Sequence, residues 1–421
     1  MYYLNIIPEK DCTGCGACWN KCPTDAIAIG HNEEGFYLPY LDKEKCVNCG
    51  LCKKVCPQLN KVISNTKTPE CYAVMADDKL RMKSSSGGIF SLFAEYILSN
   101  GGYVCGACYD KKNWFVTHII INKTDDLKKL RKSKYVQSNT GNCFKEIEYL
   151  LKNGKPVLFS GTPCQVAGLK TFLMKDYPNL LSIDLICHGV PSPKVFDEFL
   201  KSLSDKSNIT NIDFREKEVF GWATSTVVEF DNKKTYRKLA KNCFYTSAFQ
   251  KSLFLNKPCA NCKFSTIPRK GDITLGDFWG VNKYDPKLND GLGIGVVAIN
   301  NPKAEKIFNQ VNIELKMIKK VPLEFIVDIS NPNINGNIAK HKNREIFFNY
   351  LKNNTPIKEA VIKSLYYEEL ANIPKFLNKK TYYNIMYNYY RIVKNFLPKK
   401  LKNKYTEKKY IYKSGLDNLC T

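Results

Sequence analysis

Between Cys12 and Pro57 the run CTGCGACWNKCP is followed by a second run of the same design, CVNCGLCKKVCP. Both have the spacing C-x2-C-x2-C-x3-C-P. A cubane 4Fe-4S cluster needs four thiolates on four iron corners. Three cysteines separated by pairs of residues wrap three of those corners, and in this motif the fourth ligand comes from the other run. The spacing therefore assigns Cys12, Cys15, Cys18 and Cys56 to one cluster and Cys46, Cys49, Cys52 and Cys22 to a second. Gly14, Gly16 and Gly50 let the backbone turn tightly beside the metal. A pair of zinc sites is the competing reading, but zinc gives no reason for two identical four-cysteine runs each closed by proline.

Other segments could do chemistry of a different kind. Ser84–Gly88, in KSSSGGIFSLFAEYIL, places small residues and free backbone N–H groups at the start of a helix, which suits a phosphate or pyrophosphate. A serine-rich helix cap explains the same residues. Gly161-Thr162-Pro163 ends a buried strand and begins a helix with proline in its first turn, which turns Cys164 toward the crevice. Cys259 and Cys262, in KPCANCKFS, supply only two of the four ligands that zinc or a cubane requires. Cys164 and Cys187 both lie just past strands at one expected sheet edge and can supply the rest, with Cys243 in reserve. Spacing alone leaves zinc and a cluster open. Cys105 and Cys108 fall on a strand that sends them to opposite faces, so they read as small core residues. Cys71, Cys143 and Cys420 have no partner spacing. His188 reads either as a proton relay or as a histidine held by backbone, and Lys134 either as a partner for an anionic ring or phosphate or as a surface lysine. Asp272 and Asp277, in GDITLGDFWG, read as turn-fixing residues.

The elements that must position these groups follow from periodicity. DAIAIGHNEEGFYLPYLD, between the cysteine runs, has the alternation of a β-hairpin, and the polar stretch QLNKVISNTKTPE after Pro57 reads as a linker. From Cys71 onward, strand-like and helix-like segments alternate through PVLFSG, which favours a layered body with some parallel pairing and crevices at strand ends. From Ile209 the strands become short and alternating, which suggests a third unit of α+β type. The expected fold is thus mixed α+β and α/β: a dicluster ferredoxin-type domain over 1–60, a cofactor-binding domain over 70–205, a domain bearing the second C-x2-C over 206–345, and a basic helical tail over 346–421. With 421 residues, 44% of them hydrophobic and 25% charged, the chain can bury several cores. Lys and Arg outnumber Asp and Glu by 64 to 40; the many Lys, Asn, Ile and Tyr residues partly resemble the bias of an AT-rich genome, so some of that charge needs no functional cause. Free thiolates in cluster motifs point to a reducing compartment. MYYLNIIPEKDC has no secretory pattern and no apolar stretch approaches ~20 residues, so a cytoplasmic location is expected.

In their order behind the ferredoxin module, the segments SSSGGIFSLFAEYIL, RKSKYVQS, LFSGTPCQVAGLK, ICHGVPSP and CANCKFSTIPRKGDITLGDFWG resemble the family of coenzyme F-420 hydrogenase/dehydrogenase beta subunits. The resemblance spans roughly Cys12 to Asn300. It is greatest to the bacterial branch with a fused ferredoxin, often associated with polysaccharide synthesis clusters. It implies FAD and a third 4Fe-4S cluster, whose ligands map onto Cys164, Cys187, Cys259 and Cys262. Ser85, Ser86, Gly87, Gly88, Ser133, Lys134 and Tyr135 map onto the flavin pocket, while Gly161, Thr162, Pro163 and Gln165 lie between flavin and cluster. His188 and Lys134 are the catalytic candidates. The expected activity is that of an iron–sulfur flavoprotein oxidoreductase, which exchanges electrons with a redox protein and a small hydride-carrying substrate, coenzyme F-420-like or another, with no role for nucleic acid. The rival expectation is a non-catalytic electron-transfer subunit serving a separate enzyme. Within the tail, Ala371 to Lys413 holds twelve Lys or Arg against one Glu, and Tyr382, Ile385, Met386, Tyr389 and Ile392 or Val393 recur at helical spacing. That layout suits either an interfacial helix on an anionic membrane or a helix packed on the protein.

Overall fold

The computed structural model describes residues 1–62, 65, 68–336 and 338–365, and the chain divides into a unit spanning Met1–Lys340 and a second beginning at His341. The proposed membrane-facing residues of the tail lie outside the described residues. In the second unit the helices Arg344–Lys352 and Ile357–Leu365 pack on each other. No described helix is long and apolar enough to cross a membrane.

The alternating segment between the cysteine runs forms a hairpin, Ile27–His31 against Tyr37–Leu41, with Tyr2–Tyr3 paired to the other edge of Tyr37–Leu41, which becomes the middle strand. Two short helices, Ala17–Lys21 and Leu51–Lys54, each follow a glycine in the left-handed region, Gly16 (φ 99°) and Gly50 (φ 73°), and carry the middle cysteines of the two runs. This module is fastened to the body. Trp19 Nε1 and Asn20 Nδ2 donate to the Gly141 carbonyl at 3.0 and 2.8 Å, Tyr37 N–H donates to Gln137 Oε1 at 2.8 Å, and Ala17 and Val55 join an apolar core built on Phe144, Phe159 and Phe172.

The body is one mixed sheet of eight strands in the spatial order Met317–Val321, Glu70–Met75, Gly295–Ile299, Ile273–Asp277, Leu180–Leu185, Val157–Gly161, Tyr103–Asp110, Phe115–Ile121. Its four central-to-right strands, from Ile273–Asp277 to Tyr103–Asp110, run parallel, and the flanking pairs are antiparallel. The helices Ile89–Ser99 and Pro302–Val311 share one apolar core with the sheet, while Cys143–Lys152 and Pro163–Leu173 share another. Both faces of the parallel strands are covered, as such strands require.

Two expectations change. The strands Ile273–Asp277, Gly295–Ile299 and Met317–Val321 are integral to this sheet, so residue 205/206 is no boundary of the body; only the small antiparallel sheet of Ile209–Asp213, Ser225–Phe230 and Thr235–Leu239 stands apart. Composition changes at Ile209, but hydrogen bonding does not respect it. The polar stretch after Pro57 is also anchored: Asn65 is buried and donates to the carbonyls of Arg269 and Gly271, both at 2.8 Å.

Candidate functional site

Crevices open where parallel strands end and the chain leaves the sheet, and three of these strands end at Gly161, Leu185 and Asp277. Thr162 then caps the helix Pro163–Leu173. Its side chain and that of Gln165 form a reciprocal capping box, with Thr162 N–H donating to Gln165 Oε1 at 3.0 Å. The next residue after Pro163 is Cys164. Cys187 follows Leu185 by two residues, and the single turn Lys257–Asn261 brings Cys259, with Cys262 just beyond.

Cys164, Cys187, Cys259 and Cys262 line one small cavity of about 30 Å³. Cys243 is fully buried beside the helix Phe244–Gln250 and does not line it. The Thr162 hydroxyl lies 3.1 Å from Cys164 Sγ, and the Gly189 N–H donates to Cys187 Sγ at 3.3 Å. Burial, and after it the neighbouring Cys262, pushes the Cys164 thiol up to about 12; such sulfurs ionise only around a cationic centre. Among the described residues no three His, Cys, Asp or Glu side chains meet closely enough to hold a single metal ion. The four cysteines line one cavity, and four thiolates are the number that either a cluster or a zinc ion takes.

Cys12, Cys15, Cys18 and Cys56 line a second cavity of about 20 Å³ beneath Tyr3 and Ile7. Cys22 and Cys52, like Cys18, pack against the small core of Leu4, Trp19 and Ile27, and Cys49 and Cys46 lie close enough to Cys52 to add to the rise that burial gives its thiol. The structure thus brings Cys56 to the first run and Cys22 toward the second.

A third cavity is much larger, about 520 Å³, within the range of small-molecule and cofactor sites. Ser85, Ser86, Gly87, Gly88, Ser133, Lys134, Tyr135, Gly161, Thr162, Gln165 and His188 all line it; Pro163 lines the cysteine cavity instead. Ser85 Oγ and Ser133 Oγ are 2.9 Å apart, joining two segments distant in sequence. The helix Ile89–Ser99 starts at Gly88 (φ 89°) with no side-chain cap. None of the three serines serves as one: Ser84 Oγ donates to Leu80 O, Ser85 meets Ser133, and Ser86 Oγ donates to Ile294 O. The serine-cap reading of this turn therefore fails: no side chain caps the helix, and its first residues, Ile89, Phe90 and Ser91, line the cavity.

The two catalytic candidates are more constrained than expected. Lys134 Nζ donates to the carbonyls of Leu130, Arg131 and Lys132 at 3.2, 2.8 and 3.2 Å, which engages its three N–H groups in holding its own loop; burial draws its pKa down to about 8. His188 Nε2 donates to Phe249 O at 3.2 Å, and burial lowers its pKa. Asp272 accepts from Ser182 N–H and Oγ and pairs with Lys303, a structural role.

Sequence reasoning missed three residues here. His118, 5% exposed, lines the large cavity; its Nε2 lies 3.2 Å from Ser160 O and its Nδ1 has no protein partner. Burial draws its pKa down to about 4, so it is neutral near pH 7. With Nε2–H turned to the carbonyl, the buried Nδ1 is left without a proton. The signal was present: Val116 and His118 occupy the inward positions of FVTHIII. Trp279 is 38% exposed at the cavity wall and stacks on Trp222 at 5.0 Å. Arg215, buried, makes two 2.9 Å bonds to Asp277 and donates to Ser85 O at 2.8 Å, bracing the serine turn. Burial opposes the charge on Asp277, but Arg215 outweighs it and holds the carboxyl below its ordinary value. Arg215→Leu strands that carboxylate and is expected to cost about 3–5 kcal/mol in anaerobic denaturant unfolding near neutral pH. A carboxyl with a depressed folded pKa stabilises above its unfolded value and loses that contribution as pH falls through the folded one. In the variant the unpaired buried carboxyl moves the other way, above its ordinary value, and takes up a proton before the unfolded chain does, so the deficit should be greatest near neutral pH and shrink as pH falls toward about 4.

Comparison with known proteins places these features. Residues 154–322 match the C-terminal part of the beta subunit of coenzyme F-420 hydrogenase/dehydrogenase, residues 71–145 match the N-terminal part of the same family, and residues 11–60 match the 4Fe-4S dicluster domain. The chain is 25% identical over 320 residues to the coenzyme F-420-dependent sulfite reductase of Methanocaldococcus jannaschii, covering 73% of this chain and 47% of that protein. It thus spans about half the length of that curated relative. It is 23% identical over 265 residues to a subunit of the F(420)H(2) dehydrogenase of Methanosarcina mazei, covering 58% of this chain and 75% of that one. A solved structure of the F-420-reducing nickel–iron hydrogenase complex from Methanosarcina barkeri contains a chain that aligns with TM-score 0.43 and 17% identity, over 74% of this chain and 94% of that chain.

Proposed function

Because the chain belongs to the family of coenzyme F-420 hydrogenase/dehydrogenase beta subunits and carries a 4Fe-4S dicluster domain, we propose that it is an iron–sulfur flavoprotein oxidoreductase. Electrons pass between its ferredoxin-type clusters and a large cavity where a small hydride-carrying substrate, coenzyme F-420-like or another, reacts. One observation carries this reading: the three cavities stand in file. Thr13 lines both cysteine cavities, and Thr162, Cys187, Gly189 and Val190 line both the cavity of Cys164, Cys187, Cys259 and Cys262 and the large cavity.

Cys12, Cys15, Cys18 and Cys56 hold the inner cluster of the ferredoxin module, and Cys22, Cys46, Cys49 and Cys52 hold the outer one. Cys164, Cys187, Cys259 and Cys262 hold a third. FAD fits the large cavity, where the uncapped start of Ile89–Ser99 offers a place for its pyrophosphate; when bound, it would supply the exchange between one-electron and two-electron chemistry. Ser85 and Ser133 hold that pocket together, and Lys134 shapes its loop while adding positive charge at its edge. His188, held by Phe249 O, positions the wall next to Cys187.

The helix Pro163–Leu173 couples the first and third thiol sets. It carries Cys164 in its first turn and, one turn on and on the same face, Gly168, where a Cβ would sit 2.9 Å from Cys15 Sγ. A side chain there must push the two sets apart. Gly168→Ala should lower stability by about 1–3 kcal/mol and slow electron transfer between the sets while iron content is retained. Unchanged transfer rates in that variant would count against this route.

The function itself is tested by mixing anaerobic protein with nicotinamide and deazaflavin hydride donors. Flavin and cluster absorbance should bleach with one of them. Bleaching by dithionite but by no hydride donor would favour an electron-transfer subunit serving another enzyme.

A further inference from the structure

We propose that the loop carrying Cys46, Cys49 and Cys52 is the docking face for an acidic one-electron carrier protein; this rests on the outer cluster being held there. Of the twelve cysteines assigned to clusters, Cys49 alone is exposed, whereas Cys56 of the inner set is buried. One-electron transfer between proteins weakens steeply with separation, so the cluster nearest the surface is the entry or exit point. In this protein the loop and the short helix that bear these cysteines also carry exposed lysines. Lys43, Lys45, Lys53 and Lys54 are all exposed. Against them stand Glu44 and Asp42, and Asp42 is already 3.9 Å from Lys45.

The same face has an apolar centre. Val47, between Cys46 and Cys49, is 62% exposed, and Tyr2 is 68% exposed with Lys43 Nζ 5.0 Å from its ring centroid. An apolar patch inside a charged rim is how transient protein partners meet. A rim of four lysines selects a partner whose own redox centre is ringed by carboxylates, chiefly by accelerating its encounter and orienting it. Lysines are abundant over the whole chain, whose net charge is +24, so the comparison that matters is between these four and others.

The test is stopped-flow reduction of the full-length, anaerobically reconstituted protein by a reduced acidic 2Fe-2S ferredoxin. Reversing the four charges (Lys43→Glu, Lys45→Glu, Lys53→Glu, Lys54→Glu) should lower the second-order rate constant by about tenfold or more at low salt, and should abolish the fall in rate that the unaltered protein shows as salt is raised. Reversing four exposed lysines on other turns (Lys111→Glu, Lys112→Glu, Lys233→Glu, Lys234→Glu) should leave most of the rate in place. An equal loss in both variants, or none in the first, overturns the docking face. Dithionite should bleach all three proteins to the same extent. Failure to bleach would instead overturn the cluster assignment, which keeps the two failures distinct.

Discussion

Changing Cys259 and Cys262 together to serine should lower the iron content from about twelve to about eight atoms per chain and leave the spectrum of the ferredoxin module intact. The expectation rests on four sulfurs from three separate segments that line one cavity of about 30 Å³. Cys164 comes from a helix start, Cys187 from beyond the strand Leu180–Leu185, and the other two from the loop after Asn256. Removing two of four ligands leaves too few thiolates to hold a cubane. The ferredoxin sets have their own eight cysteines, none of which lines that cavity, so they should not respond. Zinc in the unaltered protein, or iron near eight atoms in it, would sink the third cluster. A second readout is electronic. With the middle position of the file gone, dithionite should still reduce the ferredoxin clusters, but their electrons should reach a bound flavin far more slowly.

The local chemistry of this chain was legible because it depends on short spacing. Two C-x2-C-x2-C-x3-C-P runs, a C-x2-C and a strand followed by Gly-Thr-Pro-Cys are each contained in a dozen residues. The turn at Ser84–Gly88 was legible as a turn but not as an uncapped one, since only the partners of Ser84, Ser85 and Ser86 exclude capping. What sequence could not reveal is contact across long separation. Arg215 braces Ser85 from 130 residues away, and nothing in NIDFREKE distinguishes it from a surface arginine. The sheet presents the same limit on a larger scale: Gly295–Ile299 pairs with Glu70–Met75 in antiparallel register, so the body closes only after the chain has made its small antiparallel sheet. A change of texture at Ile209 looked like a domain boundary for that reason. His118 lies between these cases. Its inward position follows from strand alternation, but its unpartnered Nδ1 is a property of the folded cavity.

Replacing Ser85 by Asp should empty the large cavity of flavin while leaving iron unchanged. Gly87→Asp would serve poorly, because a Cβ at Gly87 would lie 2.3 Å from Val74 O and 2.4 Å from Gly295 N. That variant would wedge apart two paired strands, and flavin loss would report damage to the sheet. Ser85 is free of this difficulty. It lines the cavity three residues before the uncapped helix start, and among the described residues its side chain bonds to Ser133 Oγ alone, at 2.9 Å. A carboxylate near a helix N-terminus is stabilised by the helix dipole, so the fold should tolerate it. The same attraction makes it a competitor: it occupies the field a pyrophosphate needs and repels the phosphates directly. An effect of about 1–2 kcal/mol corresponds to roughly five- to thirtyfold weaker flavin binding. Ser85→Ala serves as the companion variant, since it removes the Ser133 contact without adding charge and should retain most of the flavin. Flavin-to-iron ratios after anaerobic gel filtration read the result directly. Full flavin occupancy in Ser85→Asp would show that the start of Ile89–Ser99 does not hold the phosphates. Equal loss in Ser85→Ala would show that the hydroxyl contact, and not the charge at the helix start, governs the pocket.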